Sequence, residues 1–291
     1  MLSYHQPLFR PPSEAHSLIF QVTLGCSHNQ CLFCGMYKSK IYESRPLEKV
    51  LEEIREVAHL YDSSSIHRIF LADGDALGLP TKDLIQILNE IKLRFSKIHR
   101  ISSYASALNL LKKSEEELKE IHNAGLKLLY LGLESGDDET LNKMLKGSSA
   151  GENVEAVLNA RRCGFKTSVM MILGLAGITR SKEHAILSGQ AVSKMNPDFL
   201  SALTLMVPEQ APIYRQLKQG SFKPLTANEI LNELKIFIEH VNGKNIIFRS
   251  THASNYLALK GVLSRDKDEL IKQIEQSIKT KNLRPEYLRG L

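Results

Sequence analysis

The feature that most limits what this chain can fold into is a repeated switch of hydrophobic period along the sequence. Apolar, β-rich runs recur at residues 17–24, 67–71, 99–103, 127–133, 165–173, 199–207 and 245–249. Between them lie stretches whose apolar residues follow helical spacing, among them LEKVLEEIREVAHLY, TKDLIQILNEIKLRF, SEEELKEIHNAG, GENVEAVLNARRCG and NEILNELKIFIEHVNG. Ser114 followed by Glu117 is a capping-box signature, and Gly125, Gly164 and Gly243 stand where a helix leaves its last turn. Strand and helix alternating this often imply parallel strands joined by right-handed crossovers, either as a barrel or as an open sheet. No Gly/Ser-rich linker and no fixed-period repeat interrupts the alternation, so one domain over residues 1–291 is expected.

In folds of this kind chemistry gathers at the C-terminal ends of the strands. Read in order, those ends are Gly25 to Cys34, then Asp73-Gly74-Asp75, then Ser103 to Ser106, then Glu134-Ser135-Gly136. Gly174 to Gly177, Pro208-Glu209-Gln210 and His252-Ala253-Ser254-Asn255 follow. Parallel strands would turn three thiols, several carboxylates and a His/Asn pair towards one rim.

Cysteine use is lopsided. Cys26, Cys31 and Cys34 fall within nine residues as C-x4-C-x2-C, while Cys163 stands alone. Thiols spaced this closely in a reducing compartment read as metal ligands rather than as a disulfide framework. Three cysteines admit two chemistries. A structural zinc site closes with four protein ligands and would recruit His28 beside the three thiolates, making the chain a non-catalytic metal-binding α/β module. A cubane iron-sulfur cluster takes one cysteine per iron, so three thiolates leave one iron open to an outside ligand. Cys163, in RRCGF just before Gly164, reads as a packing residue.

Composition excludes other classes. With 38 basic against 32 acidic residues the net charge is +6, too diffuse for a nucleic-acid stripe. The longest apolar stretch, residues 169–178, is about half of the ~20 residues a membrane span needs, and Pro7, Pro11 and Pro12 break any secretory apolar core. The cytoplasm and no membrane partner are the expectation.

With these residues in place, the chain resembles the radical S-adenosylmethionine (SAM) superfamily. The family's usual loop is C-x3-C-x2-C with an aromatic before the last cysteine. Here Phe33 holds the aromatic place and counts among the cofactor residues, and the first interval is one residue longer. Asp73-Gly74-Asp75 stands where the family carries a Gly-Gly-Glu-like turn. The segment YLGLESGDDETLNKMLKG is similar to the branch of oxygen-independent coproporphyrinogen oxidase, Elongator-type enzymes and methylthiotransferases.

The resemblance implies a partial (β/α)6 TIM-like barrel of parallel strands over 17–207, with 208–291 adding a seventh strand and a C-terminal helix that close its side. It implies a [4Fe-4S] cluster on Cys26, Cys31 and Cys34, with SAM on the remaining iron. Backbone carbonyls of Asp73, Gly74 and Asp75 would meet the methionyl amino group, Glu134 the ribose hydroxyls, Arg161 the carboxylate, and Gly174 the adenine. The reaction implied is reductive cleavage of SAM to a 5′-deoxyadenosyl radical that abstracts hydrogen. A flavodoxin or ferredoxin would donate the electron, and a small molecule is expected as the substrate ahead of RNA, with an RNA-modifying radical SAM enzyme as the alternative. The loop His252 to Asn255 is the candidate substrate contact. No second cysteine cluster exists for methylthiotransfer.

Overall fold

The computed structural model describes residues 4–290. The chain runs β1 (Leu18–Gln21), β2 (Thr23–Leu24), β3 (Glu43–Ser44), α1 (Leu47–Leu60), β4 (Arg68–Ala72), α2 (Thr81–Arg94) and β5 (Arg100–Ala105). It continues through α3 (Ala107–Leu111), α4 (Glu115–Ala124), β6 (Leu126–Glu134), α5 (Asp138–Lys143), α6 (Ala150–Arg162), β7 (Lys166–Leu173) and α7 (Ser181–Met195). β8 (Phe199–Thr204), α8 (Ile213–Lys218), α9 (Ala227–Glu239), β9 (Ile247–Arg249), β10 (Lys260–Val262) and α10 (Leu263–Thr280) complete it. The sheet order is β1-β4-β5-β6-β7-β8-β9-β10, which makes the fold a mostly parallel α/β sheet of eight strands.

Two compact units carry these elements. The first gathers the residues up to Asn29 with Met36–Leu131 and Leu158–Thr167. There β1 pairs parallel with β4 (Leu18 opposite Ile69), β4 with β5 (Arg68 opposite Arg100) and β5 with β6 (Tyr104 opposite Tyr130). The strands bury nearly every side chain, Phe20 and Phe70 completely, as expected of parallel strands covered on both faces. α1, α2 and α4 pack in that order, with Ile54, Ile87, Ile91 and Ile121 buried.

The second unit gathers Gln30–Gly35, Gly132–Val157 and the residues from Ser168 onward. Here β7 pairs parallel with β8 (Ser168 opposite Phe199) and β8 with β9 (Phe199 opposite Ile247). α7, α9 and α10 pack in that order, with Phe237 and Ile274 fully buried.

All seven expected strands form, and so do the capping box Ser114/Glu117 and the positive-φ helix ends at Gly125 and Gly164. Three details differ. The first run divides at Val22, because its N–H and C=O go to Ala72 and Arg45 rather than to a continuous strand partner. Gly243 caps nothing, since α9 ends at Glu239 and the chain runs on irregularly to β9. An eighth sheet strand, β10, pairs antiparallel with β9 (Gly261 opposite Phe248). Its three residues, Lys-Gly-Val, are too few to show a period.

Ahead of the sheet, the turn Pro12–Glu14 inserts a carboxylate with no solvent exposure. Glu14 accepts hydrogen bonds from Tyr130 Oη (2.6 Å), Arg100 Nη2 (2.8 Å) and the Ser17 hydroxyl. A buried carboxylate is tolerated only with such partners. Glu14→Ala should therefore cost about 3 kcal/mol, the scale of breaking a buried ion pair by removing one member. Glu14→Gln, which still accepts from Tyr130, should cost less than half as much. Urea denaturation of the two variants measures the difference, and equal losses would show that packing rather than charge dominates here.

Candidate functional site

The loop after β2 opens at Gly25, whose N–H reaches Asp73 Oδ2 (3.3 Å) and whose carbonyl accepts from Gly74 N (3.0 Å). One residue past Cys26, the Ser27 hydroxyl donates to Asp75 Oδ2 (2.8 Å). The turn at the end of β4 thus grips the cysteine loop on both sides of Cys26. The grip requires glycine at its centre: a Cβ on Gly74 would lie 2.8 Å from the Gly25 carbonyl oxygen and 3.0 Å from Cys26 Cα.

Both acids of this turn are completely buried. Asp73 Oδ2 is balanced by Lys40 Nζ (2.8 Å), with Gln21 Nε2 at 3.4 Å, while Asp73 Oδ1 has no hydrogen-bond partner. Asp75 also accepts from Asn109 Nδ2 (2.6 Å) and Ser106 N (3.4 Å). Burial pushes the Asp75 carboxyl up, against the pull of these donors. The longer first cysteine interval contains Asn29 in the left-handed region (φ 42°), a conformation asparagine tolerates. Its amide donates to the carbonyls of Tyr37 (2.9 Å) and Lys40 (3.2 Å).

In the second unit, the residues between the later cysteines are docked by their backbone. Leu32 N donates to the Met144 carbonyl and Leu32 O accepts from Ile213 N, both at 2.9 Å. Phe33 packs against Met144, Leu175, Ala211, Ile213 and Phe222, so its ring serves the apolar seat of the loop. Cys34 N to Cys31 O (3.4 Å) closes a turn that sets the two thiols three residues apart. All three loop thiols are half-exposed and free of disulfides, whereas Cys163 is buried and burial raises its thiol.

Among the described residues no three His, Cys, Asp or Glu side chains converge on a single-ion site. A cubane takes one thiolate per iron, and three accessible thiols outside any disulfide fit that donor set.

Glu134 ends β6 in the left-handed region (φ 62°), and its carboxylate folds back over residue 132. A Cβ on Gly132 would sit 1.8 Å from Glu134 Oε1, so only glycine leaves it room. Lys146 Nζ pairs with that oxygen at 3.2 Å, leaving the side chain 13% exposed. Gly174 follows β7 with φ 80°, and its N–H donates to Glu233 Oε1 (2.6 Å). In the first unit Arg161 is half-buried in the last turn of α6, while its neighbour Arg162 is exposed and engaged by Glu115 and Asn159.

The loop 252–255 is braced from behind. Asn255 is buried and its amide is spent on β8, accepting from the Thr204 hydroxyl (2.9 Å) and donating to the Ala202 carbonyl (2.8 Å). His252 Nδ1 lies 2.8 Å from the Ser254 hydroxyl; burial, and behind it Arg284, holds the imidazole below its ordinary value. Arg284 Nη1 collects the carbonyls of His252, Ala253 and Asn255. Sequence reasoning missed Lys40, Lys146 and Glu233, because each meets its partner only through the fold.

A family model described as the radical SAM superfamily matches residues 20–188, more than half of the chain. The heme chaperone HemW of Buchnera aphidicola (subspecies Acyrthosiphon pisum, strain APS) is 22% identical over 213 residues, covering 71% of this chain and 55% of the relative. Coproporphyrinogen III oxidase (HemN) from Escherichia coli superposes with a TM-score of 0.60 at 20% identity, over 77% of this chain and 52% of that one. Methylornithine synthase (PylB) superposes with a TM-score of 0.54 at 19% identity, over 92% and 82%. The chain spans about half the length of the curated relatives it matches most strongly.

The grip on the cysteine loop has a direct test. Gly74→Ala must push Gly25 or Cys26 aside, so iron bound after anaerobic reconstitution should fall to less than half of wild type. Gly151→Ala, where a Cβ meets only Ser149 Oγ at 3.8 Å, should leave iron content unchanged. Full iron in Gly74→Ala would show that the loop does not depend on this contact.

Proposed function

The chain belongs to the radical SAM superfamily, and on that premise we propose that Cys26, Cys31 and Cys34 carry the [4Fe-4S] cluster that the family uses with SAM. The observation that carries this assignment is the set of three accessible thiols, none in a disulfide: in the first unit the β4 turn holds the residues flanking Cys26, and in the second Met144 and Ile213 hold Leu32 between Cys31 and Cys34. When bound, the reduced cluster supplies the electron that cleaves SAM into methionine and a 5′-deoxyadenosyl radical, which takes hydrogen from the substrate.

The remaining roles belong to the chain's own groups. Glu134 accepts hydrogen bonds from the ribose hydroxyls, a task suited to a carboxylate with two acceptor oxygens, while Lys146 orients it. Gly174 brings backbone to the adenine. Asp73, Gly74 and Asp75 present backbone carbonyls to the methionyl amino group, their side chains being occupied with the loop. Arg161 holds the carboxylate; its half-burial favours it over the exposed Arg162. Phe33 seats the loop that would hold the cluster. His252 meets the substrate, an unidentified small molecule, with Asn255 fixing the loop to β8. The electron comes from a flavodoxin or ferredoxin. No described helix is long and apolar enough to cross a membrane.

Anaerobic reconstitution with iron and sulfide tests the reading. The expected product is a brown protein with broad visible charge-transfer absorption that forms 5′-deoxyadenosine from SAM after dithionite reduction. A colourless protein with stoichiometric zinc would overturn it. Cys31→Ala should lose most of the iron and His28→Ala none, since only the tetrahedral zinc site needs a fourth protein ligand. Glu134→Ala should keep its iron and weaken SAM binding by roughly 10- to 100-fold, the worth of a charged hydrogen bond. Wild-type affinity by calorimetry would remove the ribose role.

A further inference from the structure

Behind the strand ends of the second unit lies a buried polar chain that the reaction as described does not use. Ser135, His184 and Glu233 are each at most 1% exposed. His184, on α7, places Nε2 3.1 Å from the Ile172 carbonyl of β7. Since a carbonyl only accepts, Nε2 carries the proton, and Nδ1 accepts from the Ser135 hydroxyl at 2.7 Å. Ser135 Oγ in turn accepts from Asp137 N at 3.0 Å. One imidazole therefore joins the residue after Glu134 to the C-terminal end of β7.

Glu233, on α9, completes the chain. Its Oε1 accepts the Gly174 N–H at 2.6 Å and lies 3.6 Å from His184 Nε2; its Oε2 accepts from the Ser181 hydroxyl. The order Ser135–His184–Glu233 resembles a nucleophile, base and acid. Two facts deny it that chemistry: Ser135 has no solvent exposure, and its oxygen is already occupied by the Asp137 amide.

What the chain does instead is fix two backbone points. Glu134 sits in a left-handed conformation that a non-glycine residue adopts only under strain, and such a conformation persists only when its surroundings over-determine it. Ser135, held by His184, is the next residue. Gly174, held by Glu233, is the turn after β7. We propose that His184 and Glu233 are positioning residues that set the span between the carboxylate of Glu134 and the backbone of Gly174, so that both grip one nucleoside at once. This rests on the assignment of ribose to Glu134 and adenine to Gly174.

Calorimetry of the reconstituted protein with 5′-deoxyadenosine, L-methionine and SAM tests it, because the nucleoside and the amino acid report on different ends of SAM. His184→Leu and Glu233→Leu should weaken 5′-deoxyadenosine and SAM by a similar factor of about 10 while leaving methionine affinity and iron content unchanged. Glu233→Gln keeps an acceptor for Gly174 N–H and should stay within ~3-fold of wild type. Ser135→Ala removes the Nδ1 partner together with the acceptor of the Asp137 amide, leaves the Glu233–Gly174 contact in place and should give an intermediate loss, so the test survives if a leucine variant does not fold. A merely structural role would lower nucleoside and methionine binding together, or would lower the melting temperature alone; either result overturns the proposal. The underlying assignment fails separately. If Glu134→Ala binds 5′-deoxyadenosine like wild type, the ribose role falls and the positioning role with it. If Glu134→Ala is weakened while the leucine variants are not, only the positioning role falls.

Discussion

Asp73 is the charge on which the cysteine loop depends. Its carboxylate is wholly buried at the end of β4, and a buried ion persists only if its partners replace the water it has lost. Lys40 supplies the counter-charge, Gly25 N–H and Gln21 the hydrogen bonds. Each of those partners lies on or beside the loop that carries Cys26. Lys40 also donates to the His5 carbonyl (2.6 Å), so the N-terminal segment is tied to the same point. One carboxylate therefore determines where the loop leaves the sheet.

The same device recurs across the molecule. Glu14, Asp75 and Glu233 are likewise buried to within 1% exposure, and each accepts from donors on separate elements. Removing one partner of such a bond costs on the order of 1–3 kcal/mol, because the other is left buried and unsatisfied. These acids consequently act as rivets rather than as acid-base groups. Where exposure rises, as at Glu134 with 13%, a carboxylate remains within reach of a ligand, and a lysine rather than a backbone amide is its neighbour.

Rigidity at the strand ends suits the function proposed above: a radical intermediate would react with whatever is nearest, so the protein would have to hold the cofactor and exclude water. The loop thiols, the Glu134 turn and the Gly174 turn are each held by groups behind them, and the loop 252–255 is braced by Thr204, Ala202 and Arg284 in the same way.

The sequence by itself determined the parallel α/β architecture, the seven principal strands and the place of the cysteine-bearing segment after the first of them. Period and strand-end composition are local properties, fixed by which side chains must be buried and by where the backbone must turn. Tertiary structure decided the rest. Lys40 finds Asp73 across 33 residues, Ser135 finds His184 across 49, and Gly174 finds Glu233 across 59, so no local window of sequence contains any of the three pairings. The same holds for Asn255: a polar residue after a strand looks free to meet a substrate, but packing brought Thr204 and Ala202 to its amide first. β10 escaped notice because three residues paired to an edge are held by hydrogen bonds to β9, not by a hydrophobic pattern of their own. Burial of apolar side chains is written residue by residue, whereas the satisfaction of a buried charge is settled only when distant elements meet.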